Sequence, residues 1–145
     1  MKDFIEQQII EAVRKMLTCD VNDNLKDLEF VIPVIELGNY SGSDVISPVI
    51  SLSVSEQTEK ERIIRQEVYS VFITFNLPKT VESEYHCYAY AGAISKVVND
   101  NPTLSSVVNR TVVTGKKYNF PKMKNYGDGY SLIITLRITV EGMNK

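Results

Sequence analysis

The sequence predicts a single α+β domain in which two helices lie on one face of a mainly antiparallel sheet, in the order α-β-β-β-α-β-β. Three observations carry this prediction. Two segments repeat apolar residues at the three- and four-residue steps of a helix face. Others alternate apolar and polar residues with the period of two expected of a half-buried strand. Links between successive strands are short, which favours antiparallel neighbours. The chain has 145 residues and neither an internal repeat nor a low-complexity linker, so all of 1–145 reads as one domain. A chain of this length buries roughly 68–70% of its unfolded surface and needs no disulfide or metal to hold a core.

In the first helix Phe4, Ile5, Ile9, Ala12, Val13, Met16 and Leu17 share one face, and the Asp/Asn cluster of "TCDVNDN" is expected to end it. "EFVIPVIEL" follows as a short strand, in which Pro33 lacks a backbone donor and marks an edge or a bulge. After the loop "GNYSGSD" comes a second strand, "VISPVISLSVS". There Ile46, Pro48, Ile50, Leu52 and Val54 alternate with Ser47, Val49, Ser51 and Ser53. The third strand puts Tyr69, Val71, Ile73, Phe75 and Leu77 on one face and stops at Pro78. "SEYHCYAYAGAISKVVNDNP" is the second helix, with Ser83 as N-cap and Cys87, Tyr90, Ala91, Ile94, Val97 and Val98 as its apolar stripe. Small residues Ala89, Ala91, Gly92 and Ala93 would let it lie close to the sheet. A strand from about Val107 to Tyr118 and the loop "NFPKMKNYGDG" lead to the last strand. Its residues Tyr130, Leu132, Ile134, Leu136, Ile138 and Val140 give the cleanest period-two signal in the chain.

Between the second and third strands lies "EQTEKERIIRQEV", dense in charge and without Gly or Pro. It reads as the outer part of an extended β-hairpin that reverses near Gln57 to Lys60, with Ile63 and Ile64 as apolar contact points among the charges. Val49, Val68 and Phe72 fall on the sheet face opposite the apolar set. They are expected to meet a neighbouring subunit.

Little else points to chemistry. A formal net charge of −2, with no Lys/Arg run longer than Lys116-Lys117, argues against a dedicated nucleic-acid binder and against a membrane-surface role. "MKDFIEQQIIEAVRKML" lacks the continuous apolar run of a signal peptide, so the cytoplasm is the expected compartment. Cys19 and Cys87 are too few for a disulfide framework or a metal cluster. His86 and Cys87 are adjacent on a helix and point about 100° apart, which does not suit a base and its nucleophile. "TGKKY" lacks the upstream Gly and following Ser/Thr of a phosphate-binding loop, and "YGDGY" reads as a turn with Gly127 and Gly129 at positive φ. Asp20, Asp23 and Asp27 lack the spacing of a calcium loop. Tyr88 and Tyr90 are expected to pack on the sheet with their hydroxyls at its margin. No catalytic, cofactor-binding or metal-ligating set emerges, and the expectation is a protein that is not an enzyme and uses no cofactor.

The stretch "AISKVVNDNPTLSSVVNRTVVTGKKY" joins a helix, a short Asn/Asp-Pro-x-Leu stop and a strand of alternating valines ending at tyrosine. "YGDGYSLIITLRITVEG" adds a glycine-containing loop and a final apolar strand. In this pattern, and in the order of its elements, nearly the whole chain resembles the tail terminator (tail completion) proteins of long-tailed phages. The collar or cap proteins of contractile phage-tail-like bacteriocins share the likeness. The resemblance implies a homo-hexameric ring that sits on the last ring of tail tube protein, stops tube polymerisation, and joins the tail to the head-side connector where a head exists. The implied partners are the tube protein and, where present, sheath and connector proteins, with no membrane and no sequence-specific nucleic acid. The implied location is the host cytoplasm during assembly and then the virion or phage-tail-like particle. This family often extends the hairpin between its second and third strands, so subunit or tube contacts are assigned to Glu59, Glu61, Arg62, Ile63, Ile64, Arg65 and Phe72. Three alternatives stay open: another head–tail joining component, a small ligand-binding α+β module that uses the "GNYSGSD" loop, and an enzyme of unusual type, which would need a deep polar pocket where Lys116, Asp128 and Tyr130 converge.

Overall fold

The computed structural model describes residues 4–26, 34–35, 45–60, 64–120 and 129–143. Helix α1 (Ile5–Lys15) continues through a π-helical turn (Met16–Val21) into α2 (Asn22–Lys26). The "TCDVNDN" cluster therefore does not end the first helix. Leu17, Val21 and Leu25 extend its apolar stripe at four-residue steps and are all buried, and that burial overrides the turn tendency of Asp20, Asn22 and Asp23. Two short strands, β1 (Val34–Ile35) and β2 (Val45–Ile46), pair in parallel. Four longer strands, β3 (Val49–Lys60), β4 (Ile64–Leu77), β5 (Arg110–Asn119) and β6 (Tyr130–Met143), form one sheet in the order β3-β4-β6-β5, with every neighbour antiparallel. Helix α3 (Val81–Asp100) connects β4 to β5.

The fold is thus the α+β class expected, with the helices on one face of the sheet. Ile9, Val13 and Leu17 from the first helical segment and Tyr90, Ile94 and Val98 from α3 share one core with Val71, Ile73 and Phe75 of β4 and Leu132, Ile134 and Leu136 of β6. The Phe75 and Tyr90 rings stack with centroids 4.8 Å apart and planes within 4°. Burying a side chain of this size stabilises the fold by roughly 1.5–3 kcal/mol, which is why period-two alternation read so directly as strand.

Local boundaries differ where side chains compete with composition. Thr80, not Ser83, caps α3: its hydroxyl accepts from the Ser83 amide at 3.1 Å, while Ser83 itself is buried in the first turn. In the same helix Ala91 and Ala93 face the core, but Gly92 is exposed with nothing near the position of an added Cβ. "VISPVISLSVS" is two strands, because Ser47 and Pro48 separate β2 from β3. Residues 102–109 form a turn and not the start of β5; Leu104, Ser105 and Ser106 all take positive φ, at 48°, 60° and 72°. The Asn101 carboxamide accepts from the Ser105 amide at 3.0 Å and the Thr103 hydroxyl from the Ser106 amide at 3.2 Å, which holds the turn against its unfavourable handedness. Gly129 serves close approach and not positive φ, since a Cβ there would lie 2.5 Å from the Leu77 carbonyl oxygen. Gly127 lies outside the described residues.

Asn22 does work that composition hid. Its carboxamide accepts from the Ile35 amide at 2.8 Å and donates to the Ile35 carbonyl at 2.9 Å, so a buried side chain pairs with β1 as a strand would. A third bond, to the Thr18 carbonyl at 3.0 Å, ties that side chain to the preceding helical turn.

Candidate assembly interface

The long hairpin is present. Pairing of β3 with β4 runs from Val49 opposite Thr74 to Lys60 opposite Ile64, with a bulge between Val54 and Glu56. Gln57 to Lys60, where the reversal was expected, are instead still paired with Glu67 to Ile64, because the ladder stays in register through residues that carry no turn former. Glu59 stands opposite Arg65 in this ladder. Glu61, Arg62 and Ile63 lie outside the described residues.

A third strand changes the nature of the arm. β6 follows β4 outward as far as Met143 opposite Ile64, whereas β5 stops at Arg110 opposite Thr139. The outer part of the hairpin is therefore the end of a three-stranded sheet, with β4 paired on both sides. At its base Tyr69, a fully buried residue, donates its hydroxyl to the Glu67 carboxylate two residues back on the same strand, and the charge of Glu6 on α1 also acts on the phenol. Burial first, and then the Glu67 and Glu6 carboxylates, push this phenol well above its ordinary value. It stays a hydroxyl donor across the physiological range.

The sheet face turned away from the helices is described as far as the base of the arm. Register across the strands aligns Val49, Thr74, Ile133 and Lys117 in one row, then Ser51, Phe72, Thr135 and Gly115, then Ser53, Ser70, Arg137 and Val112. Val49 is 59% exposed and Phe72 half-buried, so both are available to a partner. Val68 is not: it is 5% exposed, on the central strand beside the Val54–Glu56 bulge. The charged side chains in these rows, Lys117 and Arg137, are both cationic and exposed, as is Arg110 opposite Thr139.

Elsewhere the described residues form an aromatic cluster, a buried thiol and an open cleft. Tyr88, Tyr118, Phe120 and Tyr130 form a surface aromatic cluster with centroids 4.8 to 5.8 Å apart, in which Phe120 was not anticipated. Their mutual packing follows the expected structural role, while Tyr90 is buried outright. The Cys87 thiol is fully buried, and burial, helped by the charge of Glu84, pushes it up to about 11. An open cleft of about 250 Å³ is lined by Asp20, Asp23, Asn24, Val97, Asp100 and Asn101. Among the described residues no group of three His, Cys, Asp or Glu is placed to hold a metal, and no helix is long and apolar enough to cross a membrane. Asp27, Asp128 and the "GNYSGSD" loop lie outside the described residues. No family model matches the chain, and no curated protein matches it.

Proposed function

We propose that this protein is a structural ring component that caps the head-proximal end of a phage or phage-like tail tube. In this role it halts tube growth and presents the tail to a connector where a head exists. The observation that carries the reading is the three-stranded extension of the sheet past the end of β5. A charge-dense strand extension beside a sheet face with exposed residues such as Val49 suits heterologous contact with a neighbouring copy or with the tube. The resemblance of the chain to tail terminator and collar proteins supports a hexamer in particular. Mixed charges such as Glu59, Glu61, Arg62 and Arg65 set register and reject wrong partners more than they add affinity.

The test is assembly in the presence of tail tubes. Native mass spectrometry and light scattering over a concentration series are expected to show a six-copy species bound at tube ends. Arg62→Glu combined with Arg65→Glu is expected to abolish it. A chain that remains monomeric at high concentration with tubes present would sink the proposal.

A further inference from the structure

The two edges of the four-stranded sheet are built differently. The β5 edge carries Arg110, Lys116 and Lys117 and is broken by a bulge between Val113 and Gly115. Lysines and bulges are the devices that keep a sheet edge from pairing with another chain. The β3 edge has neither over its first half. From Val49 to Ser55 it has no charge, no proline and no glycine, and its bulge comes only after Val54. No described residue bonds through its backbone to the outer side of this stretch. On the helix side of the sheet Ile50 and Leu52 remain half-buried, whereas Val71 and Ile73 opposite them on β4 are fully buried.

We infer that the β3 edge is a pairing site for a second copy of this chain, joined antiparallel across a two-fold axis at Leu52. The sequence of the edge matches itself in that register. Leu52 faces Leu52, Ile50 stands opposite Val54, and Ser51 stands opposite Ser53. Because side chains alternate with a period of two, an axis passing through a residue keeps each face on its own side. The half-buried Ile50 and Leu52 of both copies then meet over one continuous face, and the exposed serines meet on the other. No like charges oppose one another, and the bulge before Glu56 confines the pairing to this uncharged stretch. Main-chain bonds along an open edge supply the attraction and the alternating side chains fix the register. The guarded β5 edge makes head-to-tail β3–β5 pairing the poorer match. This dimer is a property of the free protein and does not depend on the ring proposed above.

The inference is tested on the full chain without tubes, by sedimentation and native mass spectrometry. A two-copy species is expected for the unaltered protein. Ser51→Lys combined with Ser53→Lys puts like charges opposite each other and is expected to raise the dimer dissociation constant about tenfold or more. Ser51→Glu with Ser53→Glu is expected to do the same, and an equimolar mixture of the two variants is expected to recover a heterodimer. Both serines are exposed, so far-ultraviolet circular dichroism of each variant should match that of the parent. A protein that stays monomeric at the highest concentration, or a lysine variant that associates as well as the parent, would overturn the inference. Capping of tube ends by the lysine variant would leave the ring standing whichever way the dimer falls.

Discussion

At one end of the sheet β4 sends Val71, Ile73 and Phe75 beneath two helices, with β3 and β6 on either side and β5 completing the layer. At the other end the same strand runs from Glu67 out to Ile64 between β3 and β6, after β5 has stopped; among the residues whose burial is described, the core cluster reaches Tyr69 and Ile138, with Val140 packed against it. One ladder of backbone bonds thus runs from a four-stranded end that lies over the core to a three-stranded end beyond β5. Substitutions at the covered end should change whether the chain folds. Substitutions on the arm should change what the folded chain meets.

The largest effect is expected at the Phe75–Tyr90 stack, where Phe75→Ala removes a fully buried ring. It should cost about 3–5 kcal/mol in urea unfolding. The next concerns the Cys87 thiol, which ionises near its ordinary 9.0 in the unfolded chain and at about 11 in the folded one. Between those values the folded state binds more protons, so stability should be full below pH 9 and fall by about 1.4 kcal/mol per unit above it. Cys87→Ala should flatten that slope in unfolding midpoints measured across the window. Asn22→Ala leaves the Ile35 amide and carbonyl without partners and should cost about 2 kcal/mol by the same urea measurement. At the junction of the two ends Tyr69→Phe removes the hydroxyl that donates to Glu67 along the same strand. A loss of about 1 kcal/mol is expected, with faster hydrogen exchange in residues 64–68 and little change in 71–77. Smallest of all, Arg62→Glu with Arg65→Glu should shift stability by no more than about 0.5 kcal/mol. A shift as large as that of Phe75→Ala would erase the distinction between the two ends.

What the sequence revealed followed burial. Tyr69 to Leu77 and Leu132 to Ile138 read as strands because each alternates against a core that accepts only one face, and the α3 stripe from Cys87 to Val98 read as helix for the same reason. Legibility failed where a polar side chain replaced a backbone partner. Asn22 looked like a turn residue, and only the four-residue step from Val21 to Leu25 hinted that the helix ran past it. Three successive left-handed residues at Leu104–Ser106 had no glycine to announce them. The hairpin was legible from its lack of turn formers, but its support by β6 was not. That depends on a pairing some 75 residues away, Gln66 with Glu141, which local patterning does not encode.

The order β3-β4-β6-β5 also bears on how the chain is made. During synthesis the β3–β4 hairpin can close as soon as it emerges, but among the described strands β5 pairs only with β6, which is translated after it. Until residues 130–143 leave the ribosome, residues 110–119 have no strand beside them. Nascent chains in that interval expose Val112 and Val113 on an unpaired segment, the kind of stretch that draws neighbouring chains on a polysome together. Arg110, Lys116 and Lys117 give the segment a positive charge throughout that wait. Replacing all three with serine should therefore lower soluble yield on rapid expression far more than it lowers the stability of chains that have already folded.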